Sequence, residues 1–213
     1  MTIRSASMEA DAKFEQVKAQ YEYYDHQHAV AILTMDYPEL MSEICDVLLR
    51  FRLTLDQIQR SGGNESEIPK TFSTLLRPLG WNEQKLKASL TVDDHVVSSD
   101  THKIDYIKGE AAFDLEWNSK DQTFDRDLYA FRAFFDYRKI SVGILVTRSD
   151  ALDEIFRELG WYDDSRTGAR KRYLAKYGAS TTHMSKLIPR LKAGRSGGCP
   201  VLAMGITDKQ VQR

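Results

Sequence analysis

The chain has little of what marks several large protein classes. It holds two cysteines in 213 residues, Cys45 and Cys199. They lie far apart, each in an apolar run and without metal-ligand spacing. The expectation is two buried free thiols, which excludes a disulfide scaffold and a cysteine zinc site. No apolar run comes near the ~20 residues that span a bilayer. The opening MTIRSASMEADAKFEQ has no apolar targeting segment, so a cytoplasmic protein is expected. There is no internal repeat and no low-complexity tract. The net charge is −1, and overall charge therefore gives no pull toward nucleic acid.

What is present is ordinary in amount and uneven in place. Hydrophobic residues make up 42% and charged residues 29%, as in a soluble globular chain long enough for one sizeable domain. Residues 161–195 carry nine Lys/Arg against Asp163 and Asp164, whereas residues 1–160 carry 19 Lys/Arg against 28 Asp/Glu. A basic segment on a mildly acidic body suits a polyanion partner, although a solvated basic loop and helix would read the same way.

Periodicity outlines the elements. Residues 1–12 read as a frayed end, followed by a helix running into a strand across 14–33. Pro38 opens an amphipathic helix in which Leu40, Met41, Ile44, Val47, Leu48 and Phe51 recur at three- and four-residue steps. SGGNESEIPK (61–70) reads as a loop. TFSTLLRPLGW reads as a short helix and NEQKLKASLTVDD as a strand. KIDYI and AAFDLEWN read as a hairpin turning at Lys108-Gly109. Residues 125–138 form a helix capped by Asp125, with Leu128, Phe131, Phe134 and Phe135 inward. ISVGILVTR is apolar enough for a central strand covered on both faces. A helix capped by Ser149 and stopped by Gly160 follows, then a basic irregular stretch, a short helix limited by Pro189, and a last buried strand, CPVLAMGIT. The order predicts an α/β fold with a central mixed sheet flanked by helices.

One strand carries chemistry. In AAFDLEWN, Phe113, Leu115 and Trp117 point one way, while Ala112, Asp114, Glu116 and Asn118 point the other. An acidic face at the centre of a sheet needs a cation, an arginine or a ligand. The hairpin turn can bring Asp105 beside Glu116. Two carboxylates converging at a sheet edge suit Mg²⁺, which takes oxygen ligands and phosphate. Such an ion polarises a phosphodiester and lowers the pKa of a water.

Asp105, ten residues, Glu116-Trp117-Asn118 resembles the PD-(D/E)xK nuclease motif. More specifically, the chain resembles the restriction endonucleases of the BglII/BstYI type. The likeness rests on DYIKGEAAFDLEWNSK, DRDLYAFRAFFDYRKISVGILVTR, TTHMSKLIPRL with GGCPVLAMGI, and EIPKTFSTLLRPLGWNEQKL, roughly residues 38–207. It implies one nuclease domain over residues 1–213, with a helical part near 13–60 and a catalytic core near 100–207. It also implies that Asp105 and Glu116 hold Mg²⁺, with the Trp117 carbonyl completing the set. The usual motif lysine is an amide in this family, glutamine in its known members. Asn118 stands there, one methylene shorter, and is expected to position the attacking water. Lys120 is an alternative two residues late. Glu43 is a further acidic group that could reach the site, though its place opposite Leu40, Ile44 and Val47 fits a solvated helix position better. Asp114 is expected to support Glu116 or to pair with a basic residue.

For double-stranded DNA, the expected phosphate contacts are Arg166, Arg170, Lys171 and Arg172. Thr181, Thr182, His183, Lys186 and Arg190 mix small hydroxyls with long donors, suiting base edges and phosphates. The 61–70 loop is a second possible arm. The resemblance implies a homodimer on a palindrome, cut to 5′-phosphate and 3′-hydroxyl ends, with a GATC core by kinship and a cognate DNA methyltransferase as genetic partner. Part of the Phe-rich helix is expected at the dimer seam. Two rivals remain: a catalytically silent DNA-binding protein on the same fold, supported by the missing lysine, and a structure-specific repair nuclease.

Overall fold

The structure is a computed structural model and describes residues 3–60, 67–93, 95–164 and 167–212. The N-terminal end, expected to fray, is helical: α1 spans Ile3–Lys18. Ala6, Ala10, Phe14 and Val17 form a buried stripe along it. The segment before Pro38 is a helix running into a strand, as expected, with a second helix after it. It contains strand β1 (Glu22–His26) and helix α2 (Ala29–Met35). Helix α3 (Pro38–Arg50) begins at its proline as predicted and ends before a short strand β2 (Leu53–Thr54). Helix α4 (Leu55–Gln59) follows with a capping box between Thr54 and Gln57. Of the expected 61–70 loop, 61–66 lie outside the described residues. Residues 67–70 already belong to α5 (Glu67–Leu76), with Pro69 tolerated in its first turn, where an N–H has no intrahelical partner to lose.

The predicted hairpin forms from β4 (His95–Lys108) and β5 (Ala111–Leu115), with β3 (Asn82–Val92) on the outer side of β4. Gly109 takes φ +56 in the turn, a conformation that favours glycine. Next come α6 (Thr123–Asp136) and β6 (Val142–Arg148). The N-cap of α6 is Gln122, not Asp125; Asp125 sits in the first turn. The Ser149 hydroxyl caps a 3₁₀ turn that leads into α7 (Asp153–Glu158), and Gly160 at φ +71 ends the segment. The stretch expected to be irregular contains a small hairpin, β7 (Trp161–Asp163) with β8 (Arg170–Arg172), then α8 (Tyr173–Lys176). Helix α9 (Met184–Lys192) contains Pro189, and β9 (Val201–Ile206) and β10 (Val211–Gln212) close the chain.

The main sheet has six strands in the order β1-β9-β6-β5-β4-β3. Strands β5, β6 and β9 run parallel; β1, β4 and β3 join antiparallel. Every residue of β5, β6 and β9 is buried, because helices cover both faces. One face packs Phe113, Leu115, Ile144, Val146 and Met204 against α1, α3 and α5. The other packs Ala112, Leu145 and Ala203 against Phe124, Leu128 and Phe131 of α6 and Leu187 of α9. Helix α6 lies very close to the sheet at Gly143, where an added Cβ would meet the Phe131 ring at 2.5 Å. Both cysteines are buried and unpaired, as expected.

Candidate active site

The hairpin register assembles the acidic group. Tyr106 pairs with Phe113 and Ile107 with Ala112, so Asp105 falls opposite Asp114 one step further along. The Asp105 N–H donates to Asp114 Oδ1 at 2.8 Å. Period-two alternation puts Asp105, Asp114 and Glu116 on the α6 face of the sheet. Strand β5 ends at Leu115, three residues earlier than the alternation implied. The backbone of Glu116 is nevertheless held firmly. Its N–H donates to Val146 O at 2.9 Å, and its carbonyl accepts the hydroxyls of Thr147 at 2.8 Å and Thr182 at 3.3 Å.

Helix α6 brings two further residues that sequence reasoning missed. Arg126 Nη2 lies 3.1 Å from Glu116 Oε1 and 3.0 Å from Asp127 Oδ1. Asp127 is buried in the row Phe124, Asp127, Leu128, Phe131, and its Oδ2 has no donor. The signal was present: an aspartate in an apolar helical stripe needs a reason to be there.

Three carboxyls here, Asp105, Asp114 and Asp127, have raised pKa values. Asp105 reaches solvent, but atoms crowd its carboxyl; that desolvation first, then repulsion from Glu116 and Glu83, lifts it against the opposing pull of Arg126 and Arg77. Asp114, 5% exposed, is raised well above the ordinary range by burial, and then by Asp127, Asp105 and Glu116. Asp127 is pushed up to about 8 by burial and by Glu116, with Arg126 working the other way.

The donor set fits a hard divalent cation in kind. The ligands are carboxylate oxygens, and they are crowded enough that added positive charge relieves them. Among the described residues, no three His, Cys, Asp or Glu side chains are grouped as a ready metal site. Asp105 and Glu116 are the carboxylates that could hold an ion, with water, a backbone carbonyl or phosphate completing its ligands.

The remaining expected residues fall in several places. Asn118 follows at φ +56, a left-handed conformation that asparagine tolerates, with its Oδ1 buried and without a donor. The Trp117 ring turns to the opposite face and meets Tyr177 edge-on at 5.9 Å. Lys120 is exposed on a segment bridged to Thr181. Glu43 is not on the acidic face and is not simply solvated. It accepts from Trp81 Nε1 at 3.0 Å and from Lys108 Nζ at 2.6 Å, and Lys108 points away from Asp105.

The basic segment divides. Arg166 lies outside the described residues. Arg170 and Arg172 are exposed and flank the half-exposed Trp161 ring at 5.6 and 4.9 Å, while Lys171 pairs with Asp164 at 2.5 Å. Thr182 is fully buried with its hydroxyl on the Glu116 carbonyl, so it supports the site from within and offers nothing to a base edge. Thr181 accepts from the buried Arg148 at 3.1 Å and donates to Gly178 O at 2.8 Å. His183 is buried; Asp150 Oδ1 at 2.6 Å and Ser185 Oγ at 2.9 Å both meet its Nδ1. With both partners on one nitrogen and Nε2 buried without a partner, the ring cannot relay a proton from one to the other. Lys186 is half-buried on α9. Arg190 is shared between Asp121 and Asp125, 3.2 Å from each, and ties α9 to the start of α6.

Among the described residues, no helix is long and apolar enough to cross a membrane. No curated protein matches the chain. A family model, restriction endonuclease BglII/BglIII, matches residues 21–206, and the helix-flanked mixed sheet agrees with a restriction-endonuclease-like fold. The chain therefore belongs to the BglII/BglIII restriction endonuclease family, whose activity is that of type II site-specific deoxyribonucleases.

Proposed function

We propose that this protein is a single-domain, Mg²⁺-dependent restriction endonuclease that cuts both strands of a short palindrome. The observation that carries this reading is the hairpin register, which sets Asp105, Asp114 and Glu116 on one face beside a threonine-held backbone. Asp105 and Glu116 would hold the ion, with the Trp117 carbonyl as a further donor. When bound there, Mg²⁺ supplies Lewis-acid polarisation of the phosphodiester and a more acidic water. Asn118 would hold a water by its side-chain amide, and hydrolysis would leave 5′-phosphate and 3′-hydroxyl ends. Asp114 fixes the Asp105 backbone through its 2.8 Å bond. A GATC-centred site is proposed by kinship alone.

The β7–β8 hairpin, with Arg170 and Arg172 beside Trp161 and Lys171 between them, is proposed to carry phosphates. Lys186, Arg190 and Thr181 are proposed to face the groove. A homodimer matches a palindrome, one site per strand. The phenylalanines of α6 are buried or half-buried in its own core, so the residues proposed for a seam are the exposed Tyr129 and Tyr137. The protein would act in the cytoplasm alongside a DNA methyltransferase.

One observation favours the silent DNA-binding reading: Arg126 already places a positive charge on Glu116. Incubation with unmethylated phage DNA decides between them. Discrete fragments with Mg²⁺, lost in EDTA and in an Asp105→Ala, Glu116→Ala variant, establish the nuclease. Intact DNA with binding retained leaves the silent protein. Cleavage confined to flapped or nicked substrates selects a repair nuclease.

A further inference from the structure

Arg126 reaches into the acidic group from solvent. Its side chain is 46% exposed, whereas those of Glu116 and Asp127 are 12% and 4% exposed. The carboxylates are therefore the fixed parts and the guanidinium is the movable one. The Glu116 backbone is held by Val146, Thr147 and Thr182, so its side chain starts from a fixed position.

The contacts of Arg126 are unequal. Asp127 Oδ1 accepts the Nε hydrogen bond at 3.0 Å and also has Nη2 within ion-pair reach at 3.0 Å. Glu116 Oε1 receives only Nη2, at 3.1 Å. A cation arriving at Glu116 would break one bond and leave the anchor on Asp127 whole. Buried Asp127 is then explained: it keeps the arginine at the site after Glu116 is taken. Asp105, Asp114, Glu116 and Asp127 converge here, and Arg126 is ion-paired with two of them, Glu116 and Asp127.

We propose that Arg126 is the built-in counter-ion of this site, a positioning residue that holds Glu116 before a divalent cation binds, yields Glu116 to it, and stays anchored on Asp127. This rests on the reading of Asp105 and Glu116 as metal ligands. It has a measurable consequence: the arginine competes with the metal, so removing its charge strengthens metal binding even though it removes a favourable contact.

The test is calorimetric titration of the DNA-free full chain with Mn²⁺ at low salt. Wild-type binding is expected to be lost in Glu116→Gln and in Asp105→Asn. Arg126→Gln is expected to bind roughly two- to fivefold more tightly, the scale of one partly exposed ion pair. Arg126→Lys keeps the charge and is expected to stay near wild type, which a merely structural role would not produce. If Arg126→Gln binds Mn²⁺ equally or more weakly while Glu116→Gln still abolishes binding, the counter-ion inference is wrong and the metal site stands. If binding is the same in wild type and Glu116→Gln, the metal-site reading itself fails and takes this inference with it.

Discussion

Glu116 is held from several directions at once. Its amide pairs with the central strand, its carbonyl takes two threonine hydroxyls, and its carboxylate faces Arg126. Such preorganisation makes cleavage sensitive to small changes. Glu116→Gln or Asp105→Asn is expected to lower the cleavage rate about a thousandfold, the scale of losing one preorganised charged group, in a plasmid assay with Mg²⁺. Thr182→Val keeps the buried shape but removes one bond to the Glu116 carbonyl. A loss of about 10- to 100-fold, the scale of removing a group that supports a metal ligand from behind, is expected in the same assay. Asp127 supplies a pH prediction. In the folded state it holds its proton up to about 8. In the unfolded chain an aspartate releases it near about 3.9. The folded state therefore binds more protons between those values, and stability falls as pH rises through that window. Thermal unfolding in EDTA should show a higher midpoint at pH 5 than at pH 8, and Asp127→Asn should flatten the difference. A wild-type midpoint that does not change between pH 5 and pH 8 would refute it.

At the scale of elements, the hairpin and the close approach of α6 position the site. The alternation of AAFDLEWN made the acidic face legible, and the turn at Gly109 made the pairing legible. The early end of β5 was not legible, because alternation continues in the residue types after the hydrogen-bonded ladder stops. The first part of helix α1, before Phe14, escaped notice for a related reason. Its buried stripe starts with two alanines, which carry little hydrophobic signal on their own but pack closely once a partner is present. Asp127 was written in the sequence as a misfit on an apolar face, yet only its neighbours show what it meets. Gly143 makes the packing testable. Gly143→Ala would drive a methyl into the Phe131 ring, now 2.5 Å from the Cβ position. Overpacking of this kind costs typically about 1–3 kcal/mol, and each kcal/mol lowers the midpoint of a chain this long by about 2–4 °C. Differential scanning calorimetry would measure it; an unchanged midpoint would show that α6 can shift away.

At the scale of the molecule, net charge near zero hides a basic arm. If the β7–β8 hairpin carries phosphates, replacing Arg170 and Arg172 with alanine should reduce the slope of log affinity against log salt by about 2, roughly one per lost phosphate contact. An unchanged slope in fluorescence anisotropy with duplex DNA would place the phosphate contacts elsewhere. The thiols test the closure of the whole core. Cys45 and Cys199 are buried, and burial pushes each thiol up to about 12. Neither should react with a thiol reagent at pH 8 until denaturant opens the fold.

The amino-acid sequence by itself determined the order of the main strands and helices, the two-sided burial of the central strands, the acidic hairpin and the family likeness. Each of these is carried by neighbours a few residues apart, through periodicity, turn chemistry and motif spacing. Only the tertiary structure decided which side chains meet across longer separations. It put Arg126 on Glu116, moved Glu43 to the other face with Lys108, and sank Thr182 and His183 that the basic segment had seemed to offer to DNA. The physical reason is that burial and pairing are properties of packed surfaces, and a residue's place on such a surface depends on elements that the local sequence does not contain.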